Sequence, residues 1–208
     1  MILTAQQGKG QKLHILLDGE YRLTTNREFF LTCGLFSGME IDEASFAQFA
    51  AQVEENKAKQ KALRLLELRD HCERELAEKL ARGGFDRETA QSAAARMVEL
   101  GLINDENYAH NLAGELFRRK GYSPARIEQE LLSRGVARDT AYEAAHSVDG
   151  DPLERLSMLL ETKYSGVYRH TEKDRRRVVN ALQRLGYSFP DIRRAMEERG
   201  MWQVETEA

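Results

Sequence analysis

One pattern occurs three times in this chain at a fixed spacing of 51 residues. Each copy reads Leu-x-x-x-Gly followed by an apolar residue, with another apolar residue four positions before the leucine. The copies start at Leu80, Leu131 and Leu182. Apolar residues four positions apart form one stripe of a helix, and a glycine one turn later permits the left-handed conformation that ends it. The chain is therefore restricted to a succession of similar helical units.

The residues around each pattern predict three helices per copy. In the first copy, Asp70 and Glu73 form a capping box. In the second, Ser123 is a good N-cap and Pro124 suits the first helical position. Three short helices are too few to bury their apolar faces alone, so the copies are expected to pack on one another. The predicted helices cover 63–69, 71–82 and 87–100 in the first copy, 106–120, 124–133 and 138–147 in the second, and 153–163, 173–185 and 191–199 in the third.

The first 41 residues follow a different pattern. The apolar run Lys12–Leu17, the turn Asp18-Gly19 and the alternating run Glu20–Thr24 predict a β-hairpin. A capping box from Thr25 to Glu28 then predicts a short helix that ends at Gly34. A lone hairpin is marginally stable in water, so this segment must pack on another element or pair with a partner.

These patterns together predict a mainly α fold. We expect three tandem three-helix repeats in an elongated curved array, with a small N-terminal extension that contains a β-hairpin. Between the two, apolar spacing from Asp42 onward predicts one long exposed helix or helical linker. The expected divisions are 1–41 for the extension, 42–61 for the linker, 62–105, 106–152 and 153–200 for the repeats, and 201–208 for a C-terminal tail.

The sequence carries no motif of an enzyme active site. It has no Walker A loop, no GxGxxG after a strand, no HExxH and no GxSxG. The histidines are scattered, and Cys33 and Cys72 belong to no Cys/His cluster, so no metal and no cofactor are expected. Asp105 suits a helix start better than a catalytic role. The chain is therefore expected to bind a partner and not to be an enzyme.

The expected location is the cytoplasm. Two cysteines make a poor disulfide framework, which favours a reducing compartment. The N-terminus lacks the pattern of a signal peptide. The longest uncharged apolar stretch, Phe29–Met39, is about half of the roughly 20 residues needed to span a bilayer. No association with a membrane is expected.

Positive charge is concentrated in the third repeat. The formal net charge is −3, which argues against a surface that binds nucleic acid everywhere. Residues 153–200 nevertheless contain 11 Lys and Arg against 7 Asp and Glu, whereas each of the other two repeats has an acidic excess. Arg175–Arg177 lies at the positive end of its helix, where the dipole disfavours cations, so a binding role and a solvated face are equally open. Arg118–Lys120 ends a helix, where the dipole favours cations.

The target of these cations is left open by the charges alone. Nucleic-acid phosphates or an acidic groove of a protein would both attract them, and phosphate binding would be salt-sensitive. Aromatic residues nearby could stack on bases, although most of them suit the core equally well. They are Tyr164, Tyr168, Tyr187 and Phe189.

Several segments resemble one known family. Leu100–Ala109, continuing through Arg118–Gly121 to Ile127–Val136, resembles the central signature of the RecX family, and Leu182–Ile192 resembles its C-terminal signature. The resemblance covers residues 10–200. The first repeat departs from the pattern at Gly83-Gly84, where a basic residue often precedes the glycine, and at Asp70-His71 before its second helix.

The resemblance implies a regulator of the RecA recombinase, active in recombination, DNA repair and the SOS response. Such proteins bind the RecA filament on single-stranded DNA, lie along its groove, and hinder filament extension, ATP hydrolysis and strand exchange. The expected partners are this filament and single-stranded DNA, contacted directly or through the filament, by a monomer. The alternative is a helical protein that binds nucleic acid and occludes DNA directly. The candidate contact residues are Arg118, Arg119, Lys120, Arg126, Arg175, Arg176, Arg177, Arg193 and Arg194.

Overall fold

The computed structural model describes residues 1–165 and 171–203, and it confirms a mainly helical fold with a small N-terminal sheet. The strands are β1 (Leu3–Gln7), β2 (Lys12–Leu17) and β3 (Glu20–Asn26). The helices are α1 (Arg27–Thr32), α2 (Glu43–Leu68), α3 (Glu73–Arg82), α4 (Arg87–Glu99), α5 (Asp105–Glu115), α6 (Pro124–Ser133), α7 (Arg138–His146), α8 (Pro152–Leu159), α9 (Glu172–Arg184) and α10 (Phe189–Glu197). α5 and α8 continue as π-helical segments, Leu116–Lys120 and Leu160–Tyr164. Tyr168 and most of the expected tail lie outside the described residues. In the described part of the chain, no helix has the length and apolar character needed to cross a membrane.

The N-terminal sheet contains the predicted hairpin and one further strand. β2 and β3 form the hairpin, with positive φ at Asp18 and Gly19 in its turn. β1, which was not predicted from the sequence, pairs antiparallel with β2. Its other edge bonds to a later loop, because Leu3 N donates to Met39 O (3.0 Å) and Leu3 O accepts from Gly38 N (2.7 Å). With one large apolar side chain in five residues, β1 has too weak an alternation to be recognised.

The short helix α1 begins one residue later than the capping box suggested. Asn26, and not Thr25, is the N-cap, and its Oδ1 accepts from the backbone N of Glu28 at 2.7 Å. The predicted end at Gly34 is confirmed by its φ of 70°. The helix places Phe30 against the sheet.

The long helix α2 spans the expected linker and the first helix of the first repeat without a break. Asp42 caps it by accepting from Ser45 N at 2.6 Å. Phe49 and Val53 are buried with the sheet, and Ala58 and Ala62 are buried further along. α2 is therefore a packed helix and not an exposed linker.

The chain divides into two compact units. One contains Met1–Asp70 and Leu76–Leu102, and the other contains His71–Glu75 and the chain from Ile103 onward. The first turn of α3 thus belongs to the second unit, although most of the helix belongs to the first. The capping box predicted from Asp70 to Glu73 is wrong, because the amide of Glu73 is bound by another residue. α3 begins at Glu73, whose backbone N donates to Asp105 Oδ1 at 2.9 Å, so the side chain that caps the helix is distant in sequence.

Within the second unit, the turn after α6 packs on the start of α3, and we call this contact the first junction. Arg134 O accepts from the Sγ of Cys72 at 3.1 Å. Burial raises the pKa of the Cys72 thiol, which keeps this donor protonated. A Cβ atom at Gly135 would lie 2.6 Å from Cδ of Arg74. Only glycine fits this turn without displacing the neighbouring side chain.

A second junction has a similar design, and its hydrogen-bonded residues Ser123 and Leu185 are each 51 positions after Cys72 and Arg134. The turn after α9 packs on the start of α6. Leu185 O accepts from Ser123 N at 2.9 Å. A Cβ atom at Gly186 would lie 2.5 Å from Cβ of Arg126. The repeat in sequence is therefore a repeat in packing, and the glycine that ends a helix also allows its turn to approach the preceding helix start.

The two junctions satisfy the amide at the helix start differently. At the first, Glu73 N needs an acceptor, which Asp105 supplies. At the second, the equivalent residue is Pro124, which has no N–H to satisfy. The residue equivalent to Asp105 is Leu156, which is fully buried. Asp105, noted as a possible catalytic carboxylate, is thus explained as a helix cap.

Candidate partner-binding surface

The most distinctive charged surface in the second unit lies on α9. Lys173, Arg177 and Arg184 are exposed, with Asn180 between the last two. They follow the spacing i, i+4, i+7, i+11, which places them on one face of the helix. At 1.5 Å of rise per residue, the first two cations are about 6 Å apart along the axis and the last two about 10 Å apart. We call this set of four residues the α9 stripe.

The α9 stripe is directly opposite the core face of its helix. Val178, Val179 and Leu182 are buried in the cluster that α9 forms with α8 and α10. At about 100° per residue, these three point away from the stripe by roughly half a turn. None of the three stripe cations forms an ion pair with a carboxylate of the described residues. Their charge is therefore presented to solvent.

The predicted run Arg175–Arg177 does not lie on one face of α9, because successive residues of a helix point about 100° apart. Arg175 turns toward the C-terminal segment, where its Nη1 donates to Trp202 O at 3.2 Å and its guanidinium lies 5.1 Å from the Trp202 ring. Arg176 forms a salt bridge with Glu172. Of these three arginines, only Arg177 belongs to the α9 stripe.

Four of the predicted contact residues are held in salt bridges to a glutamate four positions away. These residues are Arg119 with Glu115, Arg176 with Glu172, Arg193 with Glu197 and Arg194 with Glu198. Such exposed pairs contribute only about 0.3–0.5 kcal/mol each. They nevertheless lower the local positive charge, because each cation has a carboxylate within 3.1 Å.

The remaining predicted residues lie in separate surroundings. The guanidinium of Arg118 lies over Gly114, where a Cβ atom would be 2.9 Å from its Nη1. Lys120 is exposed at the end of the π-helical segment after α5 and pairs with no described carboxylate. Arg126 is half-buried at the second junction, with its guanidinium 5.7 Å from the Tyr122 ring. The structure thus brings Arg126 close to α9 and leaves Arg118 beside α8, where its carbonyl accepts from Arg155.

A depression of about 370 Å³ lies where α6 and the end of α9 meet. Its lining contains two arginines and two glutamines and no acidic residue. The lining residues are Ala125, Arg126, Gln129, Gln183, Arg184 and Gly186. Arg184 belongs both to this depression and to the α9 stripe, so the two form one continuous basic surface.

The aromatic residues of the third helical group divide between core and surface. Tyr187 is buried in the cluster with α8 and α10, and Tyr164 packs against that cluster. Phe189 is 47% exposed and packs edge-on against Trp202, with ring centroids 5.9 Å apart. The Trp202 ring also lies 5.5 Å from the guanidinium of Arg193. Two arginines and Phe189 thus hold the C-terminal segment against α9 and α10.

A buried polar network at the first junction has a structural role. His71 Nδ1 lies 3.0 Å from Glu75 Oε2, which also accepts from the hydroxyl of Tyr108 at 3.3 Å. Arg134 bonds that hydroxyl and the carboxylate of Glu130. Burial raises the pKa of Tyr108. The pKa of Arg134 is raised although burial opposes this, because Tyr108 and Glu130 accept its hydrogen bonds. The His71 side chain is only 1% exposed, so a substrate would not reach it.

Lys173, Arg184 and Trp202 were not among the residues predicted from the sequence. The first two could have been found there, because cations at i, i+4 and i+11 on a predicted helix share one face. Trp202 follows the last predicted helix, and no local pattern indicates that it packs between Arg175 and Arg193.

Family models match two segments of the chain. The RecX first three-helix domain matches residues 58–97, which hold the second half of α2 with α3 and α4. The RecX second three-helix domain matches residues 104–144, which hold α5, α6 and α7. Both matches agree with three helices per copy.

Known proteins are similar over most of the chain. The regulatory protein RecX of Caldanaerobacter subterraneus subsp. tengcongensis is 29% identical over 190 residues, covering 90% of this chain and 93% of that protein. The regulatory protein RecX of Trichlorobacter lovleyi is 36% identical over 141 residues, covering 66% and 92%. A crystal structure of regulatory protein RecX has the same fold, with a TM-score of 0.68 at 21% identity over 94% of this chain and 97% of that one. The chain therefore belongs to the RecX family, whose curated members are named regulatory proteins.

Proposed function

We propose that this chain regulates the RecA recombinase by binding its filament on single-stranded DNA. In this proposal the chain lies along the groove of the filament and inhibits filament extension, ATP hydrolysis and strand exchange. It acts in recombination and DNA repair, in the cytoplasm, as a monomer and without catalysis. Membership of the RecX family supports the regulatory role.

The observation that carries the proposal is the α9 stripe. The chain has a net charge of −3. Three cations nevertheless line the face of α9 opposite the core, and none of them has a carboxylate partner among the described residues. A filament on DNA is a strongly anionic, repeating partner, which fits a linear set of cations. Repeated helical groups supply further contacts in one chain, and linked weak contacts give strong net binding.

The test is RecA ATPase activity on single-stranded DNA with increasing amounts of this protein. Neutralising the stripe with Lys173→Gln, Arg177→Gln and Arg184→Gln is expected to raise the half-inhibitory concentration at least about tenfold. Tenfold corresponds to about 1.4 kcal/mol, or roughly half a kcal/mol for each of the three cations removed.

The chain offers a control with the same change in charge. Arg119→Gln, Arg176→Gln and Arg194→Gln remove three cations that already have glutamate partners. This triple variant is expected to inhibit within about threefold of the unmodified chain. Equally weakened inhibition by both triple variants would show that total charge, and not the α9 stripe, determines inhibition. No inhibition by the unmodified chain would overturn the proposal itself.

A further inference from the structure

The two junctions pack equivalent turns on equivalent helix starts but differ in charge. At the first, the residue on α3 that faces the junction is Glu75, whose carboxylate accepts from Tyr108 and lies against His71. Arg134 is joined to it through the Tyr108 hydroxyl. The charges of this junction are therefore balanced within the protein.

At the second junction, the residue equivalent to Glu75 is Arg126, 51 positions later. The position of Arg134 is taken by Leu185 and that of Tyr108 by Leu159, both apolar. The charge of Arg126 is thus opposite to that of Glu75, and no described carboxylate pairs with it. The neighbouring cation, Arg184, adds a second positive charge to the same depression.

The hydrogen-bond donors of Arg126 are poorly used. A guanidinium has five N–H donors. Nη1 of Arg126 makes one long bond to Gln129 Oε1, at 3.4 Å, and Nε is buried without an acceptor among the described residues. The outer nitrogens of this guanidinium therefore keep donors that an anion in the depression can accept, as charge-assisted hydrogen bonds.

The other residues of the depression suit an oxyanion. Gln129 and Gln183 can donate through their side-chain amides, and Arg184 can approach from the exposed side. The position of Arg126 is fixed by the close packing of Gly186 on its Cβ. Arg126 and Arg184 both line this one depression, and guanidinium groups are well suited to binding phosphate.

We propose that the depression between α6 and α9 binds one phosphodiester group of single-stranded nucleic acid, held by Arg126 and Arg184. The α9 stripe then carries the strand away from this point, since Arg184 belongs to both. This inference rests on the proposed function and names the part of the filament that this surface contacts: the DNA backbone, and not an acidic groove of the protein.

Binding is measured by fluorescence anisotropy with a labelled oligothymidylate and the purified chain, without recombinase, over a series of salt concentrations. For single strands, the slope of log K against log salt falls by about 0.7 for each phosphate that is no longer neutralised. The double variant Arg126→Gln/Arg184→Gln is expected to reduce the slope by about 0.7 and to bind at least about tenfold more weakly. The control Arg176→Gln/Arg194→Gln, with the same change in charge, is expected to retain the slope.

Because Arg126 is half-buried, a weaker fold is separated from weaker phosphate binding by the single variant Arg184→Gln. Its side chain is exposed, so the melting temperature is expected to stay unchanged while the Kd rises about threefold. An unaltered slope in the double variant, or no binding of oligothymidylate by the unmodified chain, would overturn the phosphate site. Inhibition of the ATPase in the same preparation shows independently whether the proposed regulatory function holds.

Discussion

Tyr108 and Tyr187 are both buried, but they differ in the hydrogen bonds of their hydroxyl groups. The hydroxyl of Tyr108 donates to Glu75 and accepts from Arg134. The hydroxyl of Tyr187 is buried without a hydrogen-bond partner among the described residues, and burial raises its pKa to about 12. The first tyrosine links a polar network, whereas the second contributes its ring to the core and leaves its donor unsatisfied.

Tyr187→Phe should therefore preserve or raise stability, by up to about 1 kcal/mol near neutral pH. The folded chain holds the Tyr187 proton more tightly than the unfolded chain, whose tyrosine pKa is about 10. The part of the unfolding free energy that depends on the Tyr187 proton is therefore constant below about pH 10 and falls as the pH rises toward 12. Urea denaturation at increasing alkaline pH is expected to show a shallower loss of unfolding free energy for the variant. Tyr108→Phe is the control and should destabilise by about 1 kcal/mol; equal destabilisation by both variants would contradict this interpretation.

At the scale of helices and strands, local signals were sufficient for most of the fold. α6 begins at Pro124 and ends at Ser133 as predicted, because its cap, proline and glycine are all local in sequence. β1 and the start of α3 were missed because their partners are distant: a loop near Met39 for the strand and Asp105 for the helix. The candidate surface was partly predicted. The run Arg175–Arg177 indicates Arg177, but consecutive residues of a helix diverge by about 100°, so Arg177 and Arg175 lie on different faces.

The repeated glycine allows the effect of close packing to be measured separately from the effect of its backbone conformation. Gly84 and Gly186 both have positive φ, at 102° and 92°. A Cβ at Gly84 would meet no described atom within 4 Å, whereas one at Gly186 would contact Ser123 and Arg126. Gly84→Ala is expected to destabilise by about 1 kcal/mol from conformation alone. Gly186→Ala should destabilise by at least about 2 kcal/mol more, measured by chemical denaturation, because the junction must open. Equal effects would show that the turn is not confined by its neighbour.

At the scale of the whole molecule, each compact unit has its own core. In the first, the sheet packs with Phe49 and Val53 of α2. In the second, one buried cluster is built from α8, α9 and α10, with Leu182 fully buried, and another from α5, α6 and α7. Chains with separate cores commonly depart from two-state unfolding.

Calorimetry is expected to resolve two thermal transitions, one for each unit. Phe49→Ala should lower the midpoint of one transition and Leu182→Ala that of the other, since each removes about 3 kcal/mol or more from a single core. If either variant shifts a single common transition, the two units unfold together, and α3, which contributes residues to both, would be the element that couples them.

The junctions also have a direction, since a glycine turn always packs on the start of the preceding middle helix. Contacts of this head-to-tail kind have no intrinsic end, and between molecules they generate fibres. The residue under the turn is Cys72 at the first junction and Ser123 at the second, both small and buried. At the next equivalent position the chain has Asp174, whose carboxylate accepts from Thr171 Oγ1 at 2.9 Å. A carboxylate resists burial beneath a turn of another copy, so Asp174 is expected to disfavour a further junction of this kind between two molecules.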